Sequence, residues 1–340
     1  MVNRTHTMQL CQCDLTASAG RDAAVAAILD GHNRRWGARL DGFRAYAGAP
    51  WWSPGLIVTP ELRGRYECWL PVAEFCADLA RLGRAFLPAP SWVPRRLRSG
   101  AGEPSAGSSA APLSLPDLWA RLPTCLAARV AFGEADLPAL FAALADPPRF
   151  GTDSARYEAQ RAALAALCRG AAGRGRRLTL VDLACGVGLG TYEAAVTAAA
   201  AIGAPPRVLG LTLEPLEAWM ASRCCLPHDP GREPRLRRLA AQAPPVDFLA
   251  ADVRHLPLAL ANAVDVILCN GLVGGDHLRR QDDLAAVLRE ARRLLVPGGA
   301  LLVANRFHDG CRAAVERFAD LARSAGWHVD GTWHDLRLTP

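Results

Sequence analysis

The stretch that most limits what this chain can become is Val181-Asp-Leu-Ala-Cys-Gly-Val-Gly-Leu-Gly-Thr191. Before it, Leu178-Thr179-Leu180-Val181 is a short apolar run of strand formers. After it, Thr191 to Ile202 is rich in alanine and free of Gly and Pro, which predicts a helix. A strand, a glycine turn and a helix in that order form the nucleotide-cradling unit of an open α/β sheet. Glycine suits such a turn because a Cβ would hold the backbone away from a ligand. The helix N-terminus behind the turn favours an anionic group.

The glycines fall at 186, 188 and 190, giving Gly-x-Gly-x-Gly. That differs from the Gly-x-Gly-x-x-Gly of a dinucleotide fingerprint. An acid, Asp182, stands at the strand end four residues before the first glycine. This arrangement resembles motif I of the class I, Rossmann-like methyltransferases that use S-adenosylmethionine (SAM). The resemblance implies that the loop, with Asp182, Ala184, Cys185, Gly186, Gly188 and Gly190, lies under the methionine part of SAM. It also implies that Asp182 helps hold the amino group.

Further landmarks follow in the order of that family. Val208-Leu-Gly-Leu-Thr-Leu-Glu-Pro215 is similar to the second strand, where the family places an acid on the ribose hydroxyls. A carboxylate suits vicinal hydroxyls because it accepts from both. Here the acidic position aligns with Thr212, which leaves Glu214 as first choice and Glu217 as second. The Gly-Leu-Thr-Leu wording resembles cyclopropane fatty acid synthases, where a residue at the place of Glu217 serves the ribose. Val246–Ala250 reads as a third strand, and Asp252 with Val253 after it matches the family's adenine contacts. Val264–Gly271 reads as the fourth strand and its exit. Asn270 there would lie beside the sulfonium. The exit lacks the Asn/Asp-Pro-Pro-aromatic signature of enzymes that methylate base or amide nitrogens. Val296-Pro-Gly-Gly resembles the turn into strand five. The resemblance covers residues 178–305 and implies an α/β fold: a doubly wound, seven-stranded, mostly parallel sheet of order 3-2-1-4-5-7-6, with strand 7 antiparallel.

Residues 1–150 carry no cofactor motif and read as a mostly helical domain, followed by a SAM domain at 151–340. Helices are expected at 22–47, from Pro60, from Pro71 through Phe86, at 115–130 and at 136–144. Ser154 or Asp153 would cap another, running to about Arg169. The Pro-, Ser- and Gly-rich run at 99–112 reads as a flexible linker. Trp36, Trp51, Trp52, Trp69 and Trp92 fall in this half. Buried Trp is usually core, but Trp51 and Trp52, in a turn, are candidates for a substrate wall.

Composition narrows the partners. The net charge of +6 comes entirely from arginine, since the chain holds no lysine. The Arg pairs are dispersed, which fits solvated faces better than a nucleic-acid footprint. The cysteines, 11 of them, lack the Cys-x-x-Cys spacing of a zinc site. No metal is expected. No signal peptide and no membrane span are read from the sequence, so a cytoplasmic protein is the expectation.

The family resemblance implies methyl transfer from SAM to a small-molecule acceptor with an O, N or C nucleophile. An O or C acceptor must also lose a proton. His277 and His308, in loops after strands four and five, are the candidate bases. One alternative is a protein carboxyl methyltransferase resembling the chemotaxis-receptor glutamate methyltransferases. Another is a SAM-fold protein that binds without transfer. The oligomeric state is not legible.

Overall fold

The computed structural model describes residues 19–47, 67–87, 129–144, 153–227, 229, 231–256, 261–273, 278, 280–305 and 312–340. The expected linker at 99–112, the helices from Pro60 and across 115–128, Trp51, Trp52, Trp92, His277 and His308 lie outside these residues. The chain divides into two compact units. One holds Phe150–Cys225 and Arg232–Pro340, and the other Asp14–Arg149 with Leu226–Gly231.

In the second unit, α1 (Ala19–Ala47) packs on α2 (Val72–Phe86), and a 3-10 turn (Glu134–Asp136) leads into α3 (Leu137–Leu144). Pro71 stands one residue outside α2 in extended backbone rather than in its first turn. Trp36 is core: it is fully buried, meets Phe75 edge-on at 4.7 Å, and its indole N–H donates to Asp78 at 2.8 Å. His32 is buried beside Trp36, Phe75 and Phe132, with Nε2 on the Val130 carbonyl at 2.9 Å. Burial lowers its pKa.

The other unit is a seven-stranded sheet of order β3-β2-β1-β4-β5-β7-β6. The strands are β1 (Thr179–Asp182), β2 (Arg207–Thr212), β3 (Val246–Ala250), β4 (Val264–Asn270), β5 (Leu295–Ala304), β6 (His328–Thr332) and β7 (Asp335–Thr339). The first five are parallel, and β7 runs antiparallel to both neighbours. The order and the reversed strand match the expectation from sequence.

Its helices are α4 (Glu158–Ala171), α5 (Leu189–Ile202), α6 (Pro215–Arg223), α7 (Glu233–Gln242), α8 (Gln281–Leu294) and α9 (Arg312–Ser324). Strand side chains alternate between the two faces. Leu180, Val208, Val266, Leu268 and Leu302 meet Leu164 and Cys168 of α4 and Ala194, Ala195 and Ala198 of α5. Val181, Leu209, Ile267, Leu301 and Val303 meet the apolar stripes of α8 and α9, among them Val287, Leu288, Val315 and Phe318. Both faces are covered, which is why the central strands read as unbroken apolar runs.

Helix α4 begins at Glu158, with Tyr157 before it, so neither Ser154 nor Asp153 caps it. Ala155 breaks the chain instead, with φ +58 in the left-handed region. The Glu193 carboxylate takes the Ala155 N–H with both oxygens, at 3.0 and 2.9 Å. That tertiary contact stands where a local cap was expected.

Candidate cofactor and active site

The site is built on the C-terminal ends of β1, β2, β3 and β4, where an open α/β sheet binds ligands at its switch point. Here β1 lies between β2 and β4, so the strand order reverses beside it. Asp182 ends β1 and is 4 % exposed. Its Oδ2 accepts from the Thr191 hydroxyl at 2.7 Å. Its buried Oδ1 has no hydrogen bond of full geometry, although the Ala184 amide lies close enough to favour the carboxylate. Burial outweighs both donors and pushes its pKa up to about 6.

The loop after β1 is pinned from both sides. The Leu183 amide donates to Leu268 of β4 at 2.8 Å, and the Cys185 amide to Leu211 of β2 at 2.9 Å. Cys185 is buried. Gly188 has φ +87, and a Cβ there would meet the Phe248 ring at 2.9 Å and Ala221 Cβ at 3.0 Å. Its need for glycine therefore comes from packing and backbone hand, beyond any ligand approach. Gly190 lies inside the first turn of α5.

Asp182, Ala184, Gly190 and Asn270 come together in one cleft that is partly open to solvent. The cleft also takes Asp153, Tyr157, Gln160, Arg161 and Glu193, none of which the sequence reading placed in a site. Gln160 had a signal. It heads the buried stripe Gln160, Leu164, Cys168 of α4, a lone amide in an apolar row. Its amide and that of Asn270 bond reciprocally at 2.7 and 2.8 Å.

At the end of β2, Thr212 is 4 % exposed. Its hydroxyl donates to Glu217 Oε2 and accepts the Glu214 amide at 3.3 Å. Helix α6 thus carries the Glu217 carboxylate back to the position where the strand itself lacks an acid. Glu217 keeps some surface exposure, yet its carboxyl sits deep enough that burial raises its pKa against the Thr212 hydrogen bond. Glu214 precedes α6 with its side chain buried at 6 % exposure.

Beyond β3, Asp252 is held by Arg254, whose Nε and Nη2 reach both carboxylate oxygens at 2.7 to 3.1 Å. The hydrogen bond from Arg254 holds the Asp252 carboxyl below the usual range. Arg254 is anchored in turn to Asp283 of α8 at 2.9 Å. Val253 turns its side chain into the core.

These features fit an adenosyl amino acid. A buried carboxylate suits an ammonium, an acid at the β2 edge suits ribose hydroxyls, and an ionised acceptor beyond β3 suits an amino group. Among the described residues, no helix is long and apolar enough to cross a membrane.

Residues 181–303 match the family model described as a methyltransferase domain. No curated protein matches. Among solved structures, a SAM-dependent methyltransferase from Aquifex aeolicus is 16% identical with a TM-score of 0.35, covering 47% of this chain and 80% of that one. A precorrin 8w decarboxylase from Methanobacterium thermoautotrophicum is 20% identical with a TM-score of 0.37, covering 58% and 96%. Likenesses this slight carry no argument about what the chain acts on.

Proposed function

We propose that this chain, whose residues 181–303 match a methyltransferase domain, moves a methyl group from SAM to a small molecule. SAM, when bound, supplies an electrophilic methyl group on a sulfonium. What remains for this chain is to align the acceptor and keep the site dry.

One observation carries the small-molecule reading. Strand β4 leaves the sheet as Cys269-Asn270-Gly271-Leu272, without the Pro-Pro-aromatic run that would hold a base or amide nitrogen. The dispersed arginines and the length of chain ahead of the sheet support it. Within the site, Asp182 receives the cofactor's ammonium and Asp252 its adenine amino group. We assign the ribose to Glu217 rather than Glu214, because Glu217 is the acid hydrogen-bonded to Thr212. The unit before Phe150 selects the acceptor. A proton leaving an oxygen or carbon acceptor would go to His277 or His308.

The test is S-adenosylhomocysteine release by the purified chain, supplied with SAM and cell extract split by dialysis. Release with the dialysable fraction is expected. Release only with retained protein or nucleic acid overturns the acceptor class.

A further inference from the structure

Gln160 is 4 % exposed, and burying an amide is costly unless it is hydrogen-bonded. A leucine would have continued the stripe toward Leu164 and Cys168 without that cost. The amide instead reaches the last residue of β4. Gln160 Nε2 donates to Asn270 Oδ1 at 2.7 Å, and Asn270 Nδ2 donates to Gln160 Oε1 at 2.8 Å. Among the described residues these are the only hydrogen bonds of either side chain. Each amide therefore keeps one N–H and one carbonyl lone pair for a ligand.

The charges around the pair are already sorted. In the same cleft, Asp153 pairs with Arg235 at 3.2 Å and Glu193 with Arg161 at 3.4 Å. Asp182 has a hydroxyl beside it and, among the described residues, no cation. The cleft thus presents one uncompensated carboxylate next to two neutral amides with spare donors. SAM has an uncharged base, an uncharged ribose, a sulfonium cation that takes no N–H donor, and one zwitterionic end. Only the zwitterion needs an anion and neutral N–H donors side by side.

We propose that the Gln160–Asn270 amide pair receives the amino-acid end of SAM, an inference that rests on the cofactor reading above. The spare N–H groups donate to the carboxylate, while Asp182 accepts from the ammonium. Gln160 also fixes the plane of the Asn270 amide through the reciprocal bonds.

The test compares two ligands on the full chain by calorimetry: S-adenosylhomocysteine, and 5′-methylthioadenosine, which lacks the amino-acid end. Gln160→Leu should weaken S-adenosylhomocysteine by roughly tenfold and leave methylthioadenosine unchanged. Because this variant leaves the half-buried Asn270 amide without its partner, the double variant Gln160→Leu/Asn270→Leu is the control. Replacing both partners by apolar groups should restore thermal stability, while the preference for S-adenosylhomocysteine stays lost. If affinity returns together with stability, or both ligands weaken equally, the pair is structural and the proposal is overturned. If the wild type binds neither ligand, the cofactor reading itself falls. If the wild type binds both and the variants keep its ratio, only this proposal falls.

Discussion

At the scale of single residues, Asp182 shows a site residue held at a cost to the fold. Its pKa rises from 3.8 to about 6, chiefly through burial. A carboxyl raised in this way stabilises the folded state below its unfolded pKa, and that contribution is lost as pH rises through about 6. At neutral pH the ligand-free protein therefore carries a penalty of about 3 kcal/mol, at 1.36 kcal/mol per pKa unit. Asp182→Asn should be more stable than the wild type above pH 6, with the gain vanishing near pH 4. Its affinity for S-adenosylhomocysteine should nonetheless fall. In the wild type an ammonium favours the ionised acid, so affinity should drop as pH falls through about 6, and the variant should lack that step. A variant less stable than wild type at pH 7 would show that the buried charge is not costly here.

At the scale of elements, the β2–α6 junction sets a helix carboxylate beside a strand end that has no acid. Thr212 is too short to reach ribose hydroxyls as a carboxylate would. Pro215 starts α6 at once, and the first turn brings Glu217 back over the strand end. Glu217→Ala should weaken S-adenosylhomocysteine by about 1.5–3 kcal/mol, the range for a hydrogen bond to a charged group. Glu214→Ala should leave that affinity alone. The opposite pattern in paired titrations would return the ribose to Glu214.

At the scale of the whole molecule, the sheet and both its core layers lie within 150–340. A chain beginning at Phe150 is therefore expected to bind S-adenosylhomocysteine but to lose methyl transfer to the true acceptor. Full transfer by the shortened chain would remove the N-terminal unit from acceptor selection.

The strands and helices of the sheet unit were legible in the sequence because their signals are local, and the strand order followed from the family resemblance. Apolar runs alternate with helical stripes, and the glycine loop with Asp182 marks the first crossover. The family's landmarks, matched in order along the chain, carried Thr212, Asp252 and Asn270 to the strand ends. What the sequence left open depends on side chains meeting across long separations. The choice between Glu214 and Glu217 turns on a Thr212 hydroxyl, and the start of α4 on a carboxylate from α5. Gln160 is 110 positions from Asn270. In sequence it is one polar residue in an apolar row, and folding alone joins it to the cleft. Periodicity records which face of an element is buried, but not which polar groups the packed faces bring together.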